Sequence, residues 1–157
     1  MVNEVIMYQS MFLLGVIAFG VFAYSFNTYT DQAEQLTYES NIDLTNQKVG
    51  DLLLQIIGKG QEMELYSANF ELSIYVYLDS SFANKAYYLQ LSVDPSQQVL
   101  LESYTDNALV SSFNTGQFNG ASLTFDTSQI LVSSQPGQYI YYTFTGGTAT
   151  VGFAASV

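Results

Sequence analysis

The side chains that most often carry chemistry are nearly absent from this chain. It has no histidine and no cysteine, and its three basic residues are Lys48, Lys59 and Lys85. Without imidazole or thiolate, the common nucleophile–base triads and most transition-metal sites have neither base nor ligand. Carboxylates remain. Glu62 and Glu64 form the closest acidic pair and could divide acid and base roles. On one face of an expected strand they read more simply as a solvated edge. Asp79, Asp94, Asp106 and Asp126 lie near expected turns, where a Ca²⁺ site is conceivable, but no EF-hand spacing groups them. Gly146-Gly147 lies between two strand-like runs and reads as a hairpin turn. No phosphate-cradling loop or dinucleotide fingerprint occurs. The expectation is a protein with no catalytic residues, no cofactor and no metal.

Charge narrows the partners. The net charge is -11, and only 11% of residues are charged. Phosphate binding needs clustered Lys or Arg, so a nucleic-acid partner is excluded, and anionic headgroups are no better match. The acidity keeps a free subunit soluble, or attracts cations and basic partners. At 48% hydrophobic, the chain can still bury a core.

Two shifts in composition organise the sequence. Val5 to Phe26 is apolar apart from Gln9, Ser10 and Ser25. As a helix it would measure about 33 Å, enough to cross a bilayer. From Asn27 the pattern stays helical but becomes amphipathic. Val49, Leu52, Leu53, Ile56 and Ile57 follow the i, i+3, i+4 spacing of one buried face, expected to dock on the following domain. Gly58 and Gly60 are expected to end the helix, so residues 1–58 form the helical part, with 5–26 the apolar and 27–58 the amphipathic segment.

A second pattern runs along the same helix. Tyr8, Phe12, Gly15, Phe19, Phe22, Phe26, Tyr29, Ala33 and Leu36 alternate in steps of four and three, a heptad-type seam. Every phenylalanine before Phe70 lies on it. Lipid alone gives no reason to gather aromatics on one stripe, or to carry the stripe beyond Phe26 into the acidic stretch with Asp31 and Glu34. Packing against neighbouring helices gives both.

From Gln61 the period becomes two. Phe70, Leu72, Ile74, Val76 and Leu78 alternate with polar or tyrosine residues, and Tyr87, Leu89, Leu91 and Val93 repeat the pattern. Shorter runs follow at 99–104, 109–113, 121–125, 130–132, 139–145 and 148–154. Asp94-Pro95, Asn114-Thr115-Gly116, Asn119-Gly120 and Pro136-Gly137 punctuate them. The fold class is therefore α+β: a long N-terminal hydrophobic helix, then an all-β antiparallel sandwich or barrel-like head over 61–157. Tyr75, Tyr77, Tyr88, Tyr139, Tyr141 and Tyr142 fall in strands, several on the face expected to be outer. There they either cover the sheet or meet another subunit.

This architecture, with residues 1–26 (MVNEVIMYQSMFLLGVIAFGVFAYSF) at its head, resembles the archaeal type IV pilin superfamily. The resemblance implies a structural subunit of an extracellular pilus, serving adhesion or surface attachment. Such a subunit has a membrane-embedded precursor and then homopolymerises through its N-terminal helices, with the β heads on the surface. In that family a basic leader is removed. None precedes Met1, so the expectation is either the mature form or a chain that is not a processed pilin. Bacterial members carry a glutamate at the fifth mature position; Glu4, one residue away, is the candidate for registering the helix N-terminus. It could equally be an acid favoured by the helix dipole. Two other classes stay open. One is a permanently anchored accessory protein of an archaellum- or pilus-type machine with a surface or envelope partner. The other is a membrane-tethered enzyme or carbohydrate-binding module, which the missing site chemistry disfavours.

Overall fold

In the computed structural model the proline-free N-terminal segment is a single α-helix, α1 (Val2–Glu64), of 63 residues. Residues 2–82, 85–118 and 123–155 are described. Within α1, hydroxyl side chains fold back on the helix itself. Ser10 donates to the Ile6 carbonyl, Thr28 to Tyr24, Thr30 to Phe26, Thr37 to Ala33 and Thr45 to Asn41, at 2.8–3.0 Å. Each hydroxyl is thereby satisfied without an external partner.

Gly58 and Gly60 do not end the helix, contrary to the sequence expectation. It runs on to Glu64 and closes with Tyr66 N donating to the Met63 carbonyl at 2.9 Å and Ser67 N to the same oxygen at 3.0 Å. Neither glycine takes the positive φ that a C-terminal cap needs. Gly60 instead serves a close approach. A Cβ there would stand 2.5 Å from Cζ of Tyr142. The boundary between parts moves with it. The chain divides into two compact units, Met1–Thr37 and Tyr38–Val157, so the head begins inside α1 and not at residue 61.

Among the described residues eight strands follow: β1 (Asn69–Tyr75), β2 (Tyr88–Val93), β3 (Gln98–Thr105), β4 (Ala108–Gln117), β5 (Leu123–Asp126), β6 (Ile130–Val132), β7 (Gln138–Thr145) and β8 (Thr148–Ala155). They form two four-stranded sheets, ordered β1-β7-β8-β5 and β4-β3-β2-β6. The head is thus a β-sandwich that includes the second half of the helix. Hairpins join β2 to β3, β3 to β4 and β7 to β8. The β3–β4 turn places Asp106 and Asn107 at φ 50° and 63°, and the β7–β8 turn places Gly146 and Gly147 at 61° and 83°. Two consecutive positive φ values match the twist of the strands they join.

Two details depart from a plain antiparallel reading. β5 runs parallel to β8, Leu123 opposite Ala149 and Asp126 opposite Gly152. β5 arrives from the other sheet and returns to it as β6, so no hairpin imposes the antiparallel sense on it. Asn114-Thr115-Gly116 is also no break between strands. It is a bulge inside β4, with Val99 facing Gly116 and Leu100 facing Asn114. The extra residue, Thr115, turns inward, and its hydroxyl donates to the Val99 carbonyl at 2.8 Å.

The core draws on three walls. Ile140, Tyr142, Val151 and Phe153 come from one sheet, Leu89, Leu91, Val99 and Leu101 from the other, and Ile42, Val49, Leu53, Ile56 and Ile57 from the helix. Gln138 is fully buried where the chain crosses between sheets. Its side chain accepts from Val132 N at 2.5 Å and donates to the carbonyls of Val132 and Gln135 at 2.8 and 2.6 Å. One amide thus supplies the pairing that the short crossover lacks.

Candidate assembly interface

The first unit offers a bare helix. Tyr8, Phe12, Phe19, Phe22, Phe26, Tyr29 and Leu36, all on the heptad seam, are 62–74% exposed, and Gly15 has open space around its Cα. Ala33 is exposed as well. Phe22 and Phe26 stack along the seam with ring centroids 6.4 Å apart. Off the seam, Met11, Leu13, Leu14, Val16, Ile17 and Val21 are also more than half exposed. Apolar surface therefore surrounds this helix up to Phe26, and its phenylalanine rings mark one stripe of it, with Tyr24 exposed off that stripe. The helix is long and apolar enough to cross a membrane, with a window of mean hydropathy 1.9. Glu4 lies outside the residues whose side chains are described.

Within the second unit the helix is a built-in part of the head. Val49, Leu53, Ile56 and Ile57 are buried and Leu52 is half-buried. Three residues that the apolar spacing overlooked continue this face toward the N-terminus: Tyr38, Ile42 and Asn46, all buried. Their spacing of four was readable, but Tyr38 and Asn46 carry polar ends that look solvent-facing in isolation. Those ends bind the sheet. Tyr38 and Thr105 share a hydrogen bond between hydroxyls. Asn46 accepts from Ser103 at 2.5 Å and donates to Ser111 at 3.1 Å, and Ser111 donates to Asp43. The same helix reaches the other sheet at its far end, where the Tyr142 hydroxyl donates to Glu64.

This arrangement reassigns the acidic residues. Glu62 and Glu64 are on the helix, not on a strand, and Glu64 is committed to Tyr142. Asp94 caps its own turn, accepting from Gln98 N at 2.8 Å. Asp126 accepts from Ser128 N and Oγ at 2.9 and 2.6 Å and from the Tyr141 hydroxyl at 2.8 Å. Those bonds, the Ser128 hydroxyl foremost, hold its carboxyl below the usual range. Among the described residues no three His, Cys, Asp or Glu side chains converge on a metal-sized site.

The tyrosines divide. Tyr87 and Tyr142 are buried in the core, so Tyr142 is not an outer-face residue. Burial pushes the Tyr87 phenol up to about 12, with nearby Thr45 opposing the shift. Its hydroxyl is buried without a hydrogen-bond partner among the described residues. Burial raises Tyr142 further, and the bond to Glu64 adds to it. Tyr141 rises to about 12 through burial and its bond to Asp126. Tyr75 and Tyr77 stay exposed. Tyr75 meets Tyr139 edge-on at 6.0 Å, and Tyr88 stacks on Tyr104 at 5.2 Å. These cross-strand pairs stiffen the outer faces of the two sheets. Comparison with protein-family models, curated proteins and solved structures yields no match.

Proposed function

We propose that this chain is a structural subunit of an extracellular filament of the type IV pilus kind. In this reading the N-terminal helices pack together along the filament axis and the β-sandwich heads cover the outside. The membrane holds the subunit before assembly. One observation carries the reading: from Ile6 to Phe26 the helix exposes apolar surface on every side, and its phenylalanines lie on a heptad stripe that continues to Tyr29 and Leu36. A soluble protein rarely leaves so large an apolar surface uncovered. Lipid would cover the span up to about Phe26. Neighbouring helices would cover the whole seam, including Tyr29 and Leu36 beyond it.

The reading gives the chain no enzymatic role and assigns adhesion or surface attachment to the heads. A permanently anchored envelope protein is the second reading, favoured by the same apolar surface of Ile6 to Phe26, which suits lipid as well as protein. Electron microscopy of native surface material distinguishes the two. A uniform filament whose core density fits α1 supports the subunit reading. Single copies in the membrane fraction, with no filament containing this chain, support the anchor.

A further inference from the structure

The most exposed large hydrophobic side chains described in the Tyr38–Val157 unit are Tyr77 (94%), Tyr66 (83%), Leu65 (79%) and Tyr75 (58%). All of them lie in or beside β1, an edge strand of its sheet. An edge strand offers unpaired backbone groups to any chain that reaches it, and proteins blunt such edges with short length, bulges, proline or lysine. The other edges are blunted. β5 and β6 have four and three residues, and β4 is interrupted by register shifts. β1 has none of these devices. Its seven residues pair with β7 without a shift, and they include no proline, glycine or basic residue. The direction of its backbone groups follows from one bond: Val76 N donates to the Gln138 carbonyl at 2.9 Å, continuing the β1–β7 register. Bonded and free positions alternate along an antiparallel ladder. Phe70, Leu72 and Ile74 therefore turn their backbone groups to β7, and Asn69, Glu71, Ser73 and Tyr75 turn theirs outward. Among the described residues, the Asn69 carbonyl alone of these is met, by the Ser67 hydroxyl at 3.2 Å.

We infer that the free edge of β1 pairs with β1 of a second copy of this chain. The strand is complementary to itself. Set antiparallel, with Leu72 opposite Leu72 of the second copy, Asn69 meets Tyr75, Phe70 meets Ile74 and Glu71 meets Ser73. The outward groups at 69, 71, 73 and 75 then all gain partners, and Leu72 falls in a non-hydrogen-bonded pair. Phe70, Leu72 and Ile74, half-buried against the core, continue the inner face of one sheet into the other. Glu71, the only charge on the strand, faces a serine in this register; a slide of two residues would set it against the same carboxylate of the other copy. Antiparallel pairing also brings Leu65 and Tyr66 of one copy to the Tyr77 end of the other, so the exposed side chains at both ends gain cover. The contact is two-fold and closes on itself. It joins heads in pairs and adds no length to a filament. It goes beyond the filament reading and does not depend on it.

Disulfide trapping in the full chain tests it. The chain has no cysteine, so Leu72→Cys introduces a single thiol. Opposed residues of a non-hydrogen-bonded antiparallel pair have Cα atoms about 4.5 Å apart, within disulfide reach. Mild oxidation of native surface material carrying L72C should give a linked product of twice the chain's mass. The yield should be about tenfold above that of S112C, a control exposed on β4. E71C/S73C, at two exposed positions, should give the same product without touching the core. In the L72C background, S73E sets carboxylates opposite each other on both sides of residue 72 and should cut the product several-fold. E71K/S73E turns both clashes into ion pairs and should restore it. Circular dichroism in the tyrosine near-ultraviolet band checks that each variant keeps its head folded. Equal yields from L72C, E71C/S73C and S112C overturn the inference. So does a product that S73E leaves unchanged or that E71K/S73E does not restore. A linked product of any other mass assigns the edge to a different chain and overturns it too. The readout is the same for chains in filaments and chains held singly in a membrane, so failure of this contact and failure of the filament reading are distinguishable.

Discussion

Gly60 of the helix rests directly on the ring of Tyr142 from the β-sheet, so closely that a Cβ would stand 2.5–2.6 Å from three of its ring carbons. Tyr142 is fully buried, and its hydroxyl is tied to Glu64. The ring has nowhere to retreat. Gly58 and Gly60 are alike in sequence context, yet Gly58 has nothing within 4 Å of that position.

Opposite outcomes are therefore expected at the two glycines. Gly60→Ala should destabilise the head by about 1–3 kcal/mol, the cost of overpacking against a fixed ring. Gly58→Ala should stabilise it by up to about 1 kcal/mol through helix propensity alone. Thermal unfolding of the detergent-held chain, followed at the tyrosine near-ultraviolet band, measures both. Equal shifts in the same direction would contradict the close contact.

The head should need its helix. Val49, Leu53, Ile56 and Ile57 are 0–2% exposed. Burial of each contributes about 1.5–3 kcal/mol as an upper figure, and a whole domain is stable by only about 5–15 kcal/mol. A fragment starting at Tyr38 should unfold cooperatively, one starting at Asn41 should be weaker for want of the Tyr38–Thr105 bond, and one starting at Gln61 should not fold. Equal melting temperatures for the Asn41 and Gln61 fragments would refute this.

Alkali should weaken the head in a defined window. Tyr87 and Tyr141 have phenols raised from 10.0 to about 12, and Tyr142 is raised as well, burial being the first cause in all three. The folded state thus keeps these protons where the unfolded chain has lost them. Stability from this source is intact below pH 10 and falls as pH rises from 10 through about 12. Urea midpoints at pH 8, 10 and 11 report it. Tyr87→Phe should be neutral or stabilising at pH 8, because its hydroxyl lacks a partner, and should flatten the alkaline loss. A midpoint that holds constant to pH 12 would argue against burial of these phenols.

Assembly should depend on the seam. Phe22→Ala removes a ring that is exposed in the single chain, so the head should melt as before while filament yield drops several-fold. Phe19→Asp should abolish filaments, although a charge in the apolar segment also burdens membrane insertion. An assembled structure in which Phe12, Phe19 and Phe22 all face lipid or solvent, with no neighbouring helix in contact, would replace the filament reading with the simple anchor.

Local pattern determined what depends on local period. Phe70, Leu72 and Ile74 against Glu71, Ser73 and Tyr75 declared β1 and its inward face, and the structure has that alternation of half-buried and exposed residues. Gly146-Gly147 declared its hairpin in the same way, because two positive φ values suit glycine at little cost. Apolar spacing from Val49 to Ile57 declared a buried helix face, and the lack of His and Cys removed whole classes of chemistry. Tertiary contacts decided the rest. Whether a glycine ends a helix or admits a tyrosine ring depends on a residue 82 positions away, about which spacing says nothing. The parallel sense of β5 follows from a crossover between sheets, and the inward turn of Thr115 from a bulge opposite Val99. Tyr38 and Asn46 are buried only because β3 and β4 present Thr105, Ser103 and Ser111 to their polar ends. A polar side chain can enter a core where its partner waits, and only the fold brings that partner to it.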